Sequence, residues 1–497
     1  MPDITRRSFL EHTLVVAAAG LTAANVAKGA DDVPKAVPSG AGKVSRSDRI
    51  GIAVIGLHGR GKSHLDAYTY DDNVEVVAIC DVDEAQFGNA QTKLAERGRR
   101  IAKTYQDIRK LLEDKDVQAV SIATPNHWHA LAAIWAMQSG RDAYVEKPAS
   151  HNVTEGRRLE QIRAKFDRIC QVGTQSRSDG SYKSGIQYIH EGHIGKVLLS
   201  RGLCYKRRPS IGHFEDSSAP ATLAYDTWLG PAPKRPFNKN RFLYEWHWNW
   251  DYGNGDIGNQ GVHQMDIARW ALNKALPHSV IGLGGRFGYQ DDGQTPNTMI
   301  SLFDYGDAKL MFEVRGLETT GLPGTGIQVG NIVYGTEGFV AFSSSFGKAV
   351  AFDITGNVVK TFKGSGSHFS NFVSAVKSHK QSDLNCPILE GHYSAALCHL
   401  ANISYRLGEP LPLGVRGKAA DSDMDLTEAF GRFEEHLAGQ VDELKKPAKN
   451  MKSMGVTYQM GPKLEFDPKA EHFGANTKAN QLLTREYRAP FVVPASA

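Results

Sequence analysis

Cysteine is scarce in this chain, and no two cysteines have the spacing of a redox or metal-binding pair. The 497 residues contain five cysteines and no CxxC arrangement. Regularly spaced cysteines are typical of disulfide scaffolds and of structural zinc sites. The cysteines therefore predict no disulfide framework.

An excess of charge of one sign and a long apolar run are also missing. Lysine and arginine total 58 against 54 acidic residues, and residues 206–208 form one short basic block. Nucleic-acid-binding proteins usually cluster positive charge, and a membrane-spanning helix needs about 20 apolar residues. The mildly apolar run at 14–27 is shorter than that. The sequence predicts neither nucleic-acid binding nor stable membrane insertion.

The first 30 residues resemble an export signal rather than part of a domain. Positions 5–10 have the sequence Thr-Arg-Arg-Ser-Phe-Leu, directly before the alanine-rich apolar run. This order is typical of a twin-arginine signal, and the alternative is a disordered tail with a chance arginine pair. We expect a signal at 1–30, a linker at 31–48, and export to the periplasm or another extracytoplasmic space.

A glycine-rich turn between two apolar runs is the most informative local pattern. Residues 50–55 are apolar, residues 56–61 have the sequence Gly-Leu-His-Gly-Arg-Gly, and a second apolar run ends at Asp81, 20 residues past Gly61. Such a strand–turn–helix unit binds a dinucleotide pyrophosphate at the helix N-terminus and the adenosine ribose at the acid. The residues predicted to bind the cofactor here are Gly56, His58, Gly59, Arg60, Gly61 and Asp81.

Two residues of this unit bear on which nicotinamide cofactor is bound. Asp81 favours NAD, because its carboxylate would repel the 2′-phosphate of NADP. Arg60 lies in the turn and keeps NADP as an alternative. His58 replaces the usual middle glycine, and Gly59 beside it can allow the close backbone approach.

The order of apolar segments predicts an α/β domain followed by an α+β domain. Strands alternate with amphipathic helices from residue 50 to 175, which favours a doubly wound Rossmann sheet. After residue 181, strands follow one another and favour a large, mainly antiparallel sheet. The predicted divisions are a dinucleotide-binding domain at 49–175, a substrate and oligomerisation domain at 176–410, and a C-terminal extension of unknown role at 411–497.

Finer expectations concern three segments. Helices are predicted at 130–139 and 154–166, the second capped by Asn152 and Glu155. Residues 225–250 are expected to form a long ordered loop. The polar tail from residue 445 is expected to wrap the surface.

Two predicted strands end in polar residues at the edge where doubly wound sheets bind ligands. One strand is followed by Thr-Pro-Asn-His-Trp-His at 124–129, the other by Glu-Lys-Pro at 146–148. A lysine with a lowered pKa can act as acid or base, although alone Lys147 could equally be a surface salt-bridge residue. Further predicted cofactor contacts are Thr124, Pro125, Asn126, His129, Glu146 and Lys147.

A third segment, residues 254–266, brings together an amide and an imidazole. Asn259 and His263 are four residues apart and would share one face of a helix. An imidazole titrates near neutral pH and suits proton exchange with a hydroxyl. The alternative for His263 is a hydrogen-bonded core histidine.

Together these motifs resemble the Gfo/Idh/MocA oxidoreductase family, over roughly residues 50–408. The resemblance implies hydride exchange between nicotinamide and a sugar or polyol carbon, and a homo-oligomer joined through the C-terminal sheet. It also implies that Lys147 relays a proton and that His263 is the principal acid/base. The family commonly has Asp where this chain has Asn259, which cannot take a proton; Asp256 could substitute.

We expect no metal site in this chain. His127 and His129 have a possible metal-ligand spacing, but the family resemblance assigns this segment to the cofactor edge.

Aromatic and basic residues supply the candidate substrate site. Flat rings can cover the apolar face of a sugar, and a tryptophan-rich packed loop is an equal alternative for residues 246–250. The candidate substrate contacts are Tyr205, Lys206, Arg207, Trp246, Trp248, Asp256, Asn259 and His263.

The favoured function is an NAD(P)-dependent oxidoreductase with a tightly bound cofactor, acting on the CH–OH group of a sugar, sugar derivative or polyol. One alternative is an NAD-dependent glycoside hydrolase that oxidises its substrate transiently and eliminates the aglycone. Another is a saccharide-binding homologue without turnover. Free cofactor is expected to be scarce outside the cytoplasm, which favours regeneration on the same protein.

Overall fold

The computed structural model describes residues 48–343, 348–421, 423–441 and 455–496, with no side chains described at 419–420. The predicted export signal, and the linker up to residue 47, lie outside these residues. Within the described part of the chain, the strands form one six-stranded and one eleven-stranded sheet. Both sheets match the fold class expected from the sequence, which is confirmed.

The first sheet is parallel and has the strand order β3-β2-β1-β4-β5-β6. Its strands are β1 Ile50–Ile55, β2 Val74–Cys80, β3 Lys103–Tyr105, β4 Ala119–Ile122, β5 Asp142–Val145 and β6 Cys170–Val172. The connecting helices are α1 Arg60–Thr69, α2 Phe87–Glu96, α3 Ile108–Leu111, α4 Asn126–Gln138 and α5 Val153–Phe166. The chain order reverses between β1 and β4, which is where such sheets bind ligands.

The second sheet is antiparallel except where β7 pairs with β10. Its order is β14-β13-β12-β11-β7-β10-β9-β8-β16-β15, with β17 paired to β8. Its strands are β7 Val197–Tyr205, β8 Ser279–Gly285, β9 Thr298–Asp304, β10 Lys309–Arg315, β11 Val329–Gly335, β12 Gly338–Ser343, β13 Lys348–Asp353, β14 Val358–Phe362, β15 Glu409–Pro412, β16 Thr457–Met460 and β17 Leu464–Glu465.

Helices pack against both faces of this second sheet. The remaining helices are α6 Gly180–His190, α7 Tyr225–Leu229, α8 Gly255–Asn259, α9 Gly261–Leu272, α10 His368–Ser378, α11 Ile388–Arg406, α12 Lys418–Asp421, α13 Met424–Gln440 and α14 Thr477–Gln481. One face buries α9 and α11 in a shared apolar cluster. The opposite face buries Leu426, Phe430 and Phe433 of α13. Burial on both faces explains why most residues of strands β7 to β12 are buried.

Local sequence accounts for several element boundaries. Asn152 Oδ1 accepts a hydrogen bond from the Glu155 amide at 2.9 Å, so the predicted cap of α5 is confirmed. Helix α4 begins at Asn126, four residues earlier than the sequence suggested, because Pro125 ends the extended segment and adopts the N-cap position. Residues 126–129 therefore form the first turn of a helix rather than a loop.

The C-terminal tail is more integrated than its polarity suggested. Strands β16 and β17 extend the large sheet, and Phe491 is buried against Trp128 and Trp135 of α4. The expectation that this tail merely wraps the surface is wrong for these segments. The loop at 225–250 contains α7 and short 3-10 turns but is otherwise irregular. Across the described ranges, no helix has the length and apolar character needed to cross a bilayer.

We expect Phe491→Ala to destabilise the protein by about 3 kcal/mol, because truncating a buried phenylalanine leaves a cavity. The ring is 3% exposed, whereas the neighbouring Val492 is 45% exposed. Val492→Ala is therefore the matched control and should change stability by less than about 0.5 kcal/mol. Calorimetric unfolding measures both variants. Equal free energies of unfolding for the two variants would show that the tail does not stabilise the Rossmann domain.

Candidate functional site

The turn between β1 and α1 has the backbone geometry of a phosphate cradle. Gly56 has a φ of 85°, and a Cβ there would meet the Ala123 carbonyl at the end of β4. A Cβ at Gly61 would overlap the Gly56 carbonyl oxygen, whereas a Cβ at Gly59 would meet nothing within 4 Å. The space over Gly59 is thus open to a ligand. His58 is not among the described residues with positive φ, so a side chain is tolerated at that position.

Asp81 lies directly after β2 and is fixed by the same turn. Its Oδ2 accepts a hydrogen bond from the Leu57 amide at 2.7 Å, and its Oδ1 accepts one from the Asp83 amide at 2.9 Å. Burial raises the pKa of Asp81 above its ordinary value, although the two amides oppose the shift. Each carboxylate oxygen keeps a lone pair that could accept a ribose hydroxyl.

Glu146 is the centre of a buried ionic cluster behind the turn. Its Oε1 lies 3.0 Å from Arg60 Nε, 3.1 Å from His64 Nε2 and 3.1 Å from Gln175 Nε2. Burial alone would raise the pKa of Glu146, but Arg60 and His64 outweigh it and hold the pKa well below its usual range. The absence of a side chain at Gly173 leaves room for this carboxylate.

Lys147 connects the Rossmann edge to the sheet domain. Its Nζ donates to the Asn259 carbonyl at 2.7 Å. That carbonyl is available because the helix breaks between α8 and α9: the His263 amide bonds to the Gln260 carbonyl at 3.2 Å instead of to Asn259. Burial lowers the pKa of Lys147 below its ordinary value, although Glu146 opposes the shift.

His263 is half-buried in the first turn of α9. Its imidazole makes no hydrogen bond to the described part of the chain and borders the same cavity as Lys147. Burial, together with the positive charge of Lys147, lowers the pKa of His263 to about 3. The ring is therefore neutral near physiological pH and has a nitrogen free to accept a proton.

The cavity between these groups has a volume of about 380 Å³. It brings together residues of the turn, the ends of three strands and the α8–α9 segment. The sequence-predicted residues that line it are Gly56, His58, Gly59, Arg60, Asp81, Thr124, Pro125, Asn126, His129, Glu146, Lys147, Trp246, Asn259 and His263. Gly61 packs beneath the turn rather than at the cavity surface.

Two candidate substrate residues are buried away from the cavity. Tyr205 is 2% exposed, and its hydroxyl donates to Glu313 at 2.6 Å on the sheet face covered by α13. Trp248 is 1% exposed and lies against the Arg286 guanidinium. The structure therefore places Trp248 in the packed loop that was the alternative interpretation.

Three other candidates face elsewhere. Lys206 donates to the Gln260 side chain at 3.3 Å, and Arg207 pairs with Glu318 at the surface. Asp256 is fully buried and receives both Nε and Nη2 of Arg208, at 3.0 and 2.7 Å. Its charge is thus already balanced by an arginine.

Sequence reasoning missed residues that complete the site. Tyr244 borders the cavity, Arg208 connects it to Asp256, and His64 and Gln175 hold Glu146. These pairs are far apart in the chain, so spacing carries no signal for them. The aromatic character of residues 242–248 was the one available indication of Tyr244.

Residues 222–229, here called the strap, run beside the cavity from the end of β2 to the start of α4. At one end the Ala224 amide donates to the Val82 carbonyl at 2.8 Å, just past β2. At the other end His127 Nε2 lies 2.8 Å from the Trp228 carbonyl. Val82 and Trp228 both line the cavity. The strap therefore bridges the end of β2 and the start of α4 at the border of the cavity.

Comparison with family models matches this geometry. Residues 50–174 match the description "Oxidoreductase family, NAD-binding Rossmann fold", and residues 205–281 match "Oxidoreductase family, C-terminal alpha/beta domain", both of the Gfo/Idh/MocA group. The chain carries Gfo/Idh/MocA oxidoreductase domains. Its N-terminal domain is an NAD-binding Rossmann domain, as the glycine turn and Asp81 predicted.

Curated relatives match over part of their length. A glycosyl hydrolase family 109 protein of Shewanella baltica is 29% identical over 208 residues, covering 40% of this chain. An α-N-acetylgalactosaminidase of Shewanella oneidensis is 28% identical over the same length. In both cases the match spans 45% of the relative's own length.

Solved structures share the fold at low sequence identity. The WlbA dehydrogenase of Bordetella pertussis, in complex with NADH and UDP-GlcNAcA, is 18% identical with a TM-score of 0.53, covering 71% of this chain and 96% of that one. GenD2 from gentamicin A biosynthesis, in complex with NAD, is 20% identical with a TM-score of 0.53 and covers 74% and 96%.

We expect Gly61→Ala to destabilise the protein by about 1–3 kcal/mol, because the added methyl group overlaps the Gly56 carbonyl oxygen. NAD affinity should fall with it, since the turn must shift. Gly88→Ala is a matched control at the second position of helix α2, with nothing within 4 Å. That variant should be neutral or stabilising by up to about 1 kcal/mol. Thermal unfolding and calorimetric NAD titration measure both.

Proposed function

We propose that this protein oxidises a CH–OH group of a sugar or sugar derivative with a resident NAD. One observation carries the proposal: the neutral His263 imidazole, the Lys147 ammonium and the glycine turn border a single cavity. The residues of the turn fit a dinucleotide because Gly59 leaves open space over the cradle and Asp81 presents free lone pairs. Bound NAD would supply the hydride acceptor.

NAD is the cofactor that the charges favour over NADP. Asp81 would repel a 2′-phosphate. Arg60, the residue that kept NADP as an alternative, is held at 3.0 Å by Glu146. The guanidinium is therefore already engaged by a carboxylate.

The side chains of the cavity have separate roles in the proposed reaction. As the substrate carbon loses its hydride, His263 takes the hydroxyl proton at a ring nitrogen, and the product is a carbonyl. Lys147, held as an ammonium by the Asn259 carbonyl, places positive charge beside the developing oxyanion while His263 keeps the proton. The break between α8 and α9 positions both groups.

We further propose that the cofactor stays bound through the catalytic cycle. The strap supports this idea, because it borders the cavity and is hydrogen-bonded to the Rossmann domain at Val82 and at His127. A retained cofactor suits an enzyme exported in folded form, and export through the twin-arginine route is proposed on the N-terminal sequence alone. The five cysteines are free and buried, so the protein can fold before export without forming a disulfide bond.

A second candidate function is an NAD-dependent glycoside hydrolase. The names of the Shewanella relatives favour it. The match covers 45% of the length of each relative. Such an enzyme would oxidise a ring hydroxyl, eliminate the aglycone, add water and return the hydride. The first step is the same oxidation by His263 and Lys147, so both candidates need the same cavity.

Homo-oligomerisation through the large sheet remains a proposal taken from the family resemblance. Helix α13 already covers part of one face of that sheet in this chain. A contact between subunits would therefore involve the outer surface of α13 or the sheet edge at β14.

The decisive experiment combines nucleotide analysis with two substrates. Mass spectrometry of the denatured protein should find NAD. Incubation with free N-acetylgalactosamine should reduce the bound nicotinamide if the protein is an oxidoreductase, whereas release of p-nitrophenol from the α-glycoside of the same sugar indicates the hydrolase. No nicotinamide and no turnover of either sugar would contradict the proposal and favour a saccharide-binding protein.

In that assay His263→Ala and Lys147→Ala should each lower turnover by at least about 100-fold while NAD remains bound, because both groups face the substrate end of the cavity. The controls are His278→Ala and Lys110→Ala, two exposed residues outside the cavity. Full activity in either cavity variant would remove that residue from the mechanism.

The pH profile should reflect the buried state of His263. Since burial and Lys147 lower the pKa of His263 to about 3, the imidazole stays neutral well below its ordinary titration range. Activity should therefore show no loss centred near pH 6.5 from this group as the pH falls. Measurement of kcat/KM over about pH 5 to 8, with unfolding monitored in parallel, tests this. A one-proton acid limb near 6.5 that His263→Gln abolishes would contradict the assignment.

A further inference from the structure

Tyr244 is a half-exposed side chain at the cavity that the mechanism above does not use. It is 48% exposed and borders the cavity together with His263, Lys147 and Asn259. The hydroxyl group and the backbone carbonyl of Tyr244 both make hydrogen bonds.

Two N–H donors occupy the hydroxyl oxygen of Tyr244. Asn259 Nδ2 donates to it at 2.9 Å, and Arg208 Nη1 donates to it at 3.1 Å. The orientation of the Asn259 amide is supported by a second contact, because Nδ2 also faces Asp256 Oδ1 at 3.5 Å. A flipped amide would point its oxygen at that carboxylate.

The phenolic hydrogen must therefore point away from both donors. A hydroxyl that accepts two hydrogen bonds can still donate one. Among the described residues no acceptor for this hydrogen is found, and Tyr244 borders the cavity. An unused donor at the edge of a binding site is a natural contact for a ligand oxygen.

The backbone around Tyr244 keeps the ring in place. His247 Nδ1 lies 2.7 Å from the Tyr244 carbonyl, and His247 is fully buried. The preceding residue, Leu243, has a φ of 53°, a left-handed conformation that is uncommon outside glycine and is often found at binding sites. Arg208 is itself fixed by Asp256.

We propose that Tyr244 is a substrate-contacting residue that donates a hydrogen bond to an oxygen of the sugar. The inference rests on the proposed function for the identity of the ligand. It also gives a role to Asn259: the amide donates to Tyr244 and so directs the phenolic hydrogen outward. An ionised aspartate at that position could only accept, and it would turn the hydrogen inward.

The test uses the NAD-loaded full-length protein and the p-nitrophenyl α-glycoside of N-acetylgalactosamine as probe. Tyr244→Phe should raise Kd by about 10-fold, with unchanged NAD content and melting temperature. Asn259→Asp, assayed near pH 8 where the introduced carboxylate is ionised, should raise Kd by a similar factor. The backbone carbonyl that holds Lys147 is kept in both variants.

The Tyr244→Phe/Asn259→Asp double variant distinguishes redirection of the phenolic hydrogen from a nonspecific loss of binding. In the Tyr244→Phe background no hydrogen remains to be redirected, so Asn259→Asp should add little further loss. Tyr70→Phe, with a similarly exposed ring outside the cavity, is the control. Additive losses, a gain from Asn259→Asp alone, or wild-type affinity in Tyr244→Phe would overturn the proposal.

Binding and turnover are read separately. If the wild-type protein binds the probe but neither oxidises nor cleaves it, the proposed function fails. The Kd values of the variants still show whether Tyr244 contacts the probe. If turnover is present and Kd is insensitive to Tyr244→Phe, the proposed function stands and the inference about Tyr244 fails.

Discussion

The hydrogen bond from Lys147 Nζ to the Asn259 carbonyl joins the two domains at the point where the proposed chemistry takes place. It exists because the helical ladder is interrupted between α8 and α9, which leaves one carbonyl without its usual amide partner. A buried ammonium needs such a partner, since an unpaired charge away from water is costly. The same interruption begins α9 and places His263 against the cavity. One local departure from helical geometry thus positions both candidate catalytic groups.

The electrostatics around this bond depend on burial more than on net charge. Glu146 is the anion of the cluster, and Arg60 and His64 keep it ionised. Lys147 supplies the positive charge that, after burial, contributes most to lowering the pKa of the His263 imidazole. The result is a neutral imidazole and a cation that border one cavity. The cation stabilises negative charge that develops on a substrate oxygen, and the neutral ring has a nitrogen that can accept the proton.

Local patterns in the sequence were sufficient to predict the Rossmann strands, the glycine turn, and the position of Asp81 and of residues 124–126 and 146–147 at one edge of the sheet. Each depends on neighbours within a few residues and on the rule that parallel strands bind ligands at their carboxyl ends. The roles of Tyr205 and Trp248 could not be predicted in this way, because the face on which a strand or loop residue lies depends on what packs there. The second face of the large sheet is covered by α13, a helix about 220 residues later. Long-range packing of that kind leaves no mark in local spacing.

Asn259, the departure from the family pattern, has a physical explanation in its surroundings. Its amide lies 3.5 Å from the Asp256 carboxylate, whose charge is already balanced by Arg208. A second ionised carboxylate at this distance would be repelled by Asp256, because like charges this close cost free energy. The amide avoids that repulsion, holds Tyr244 and still provides the backbone carbonyl for Lys147. The exchange of acid for amide therefore alters which side chain donates to the ligand, and it leaves the base and the cation of the site in place.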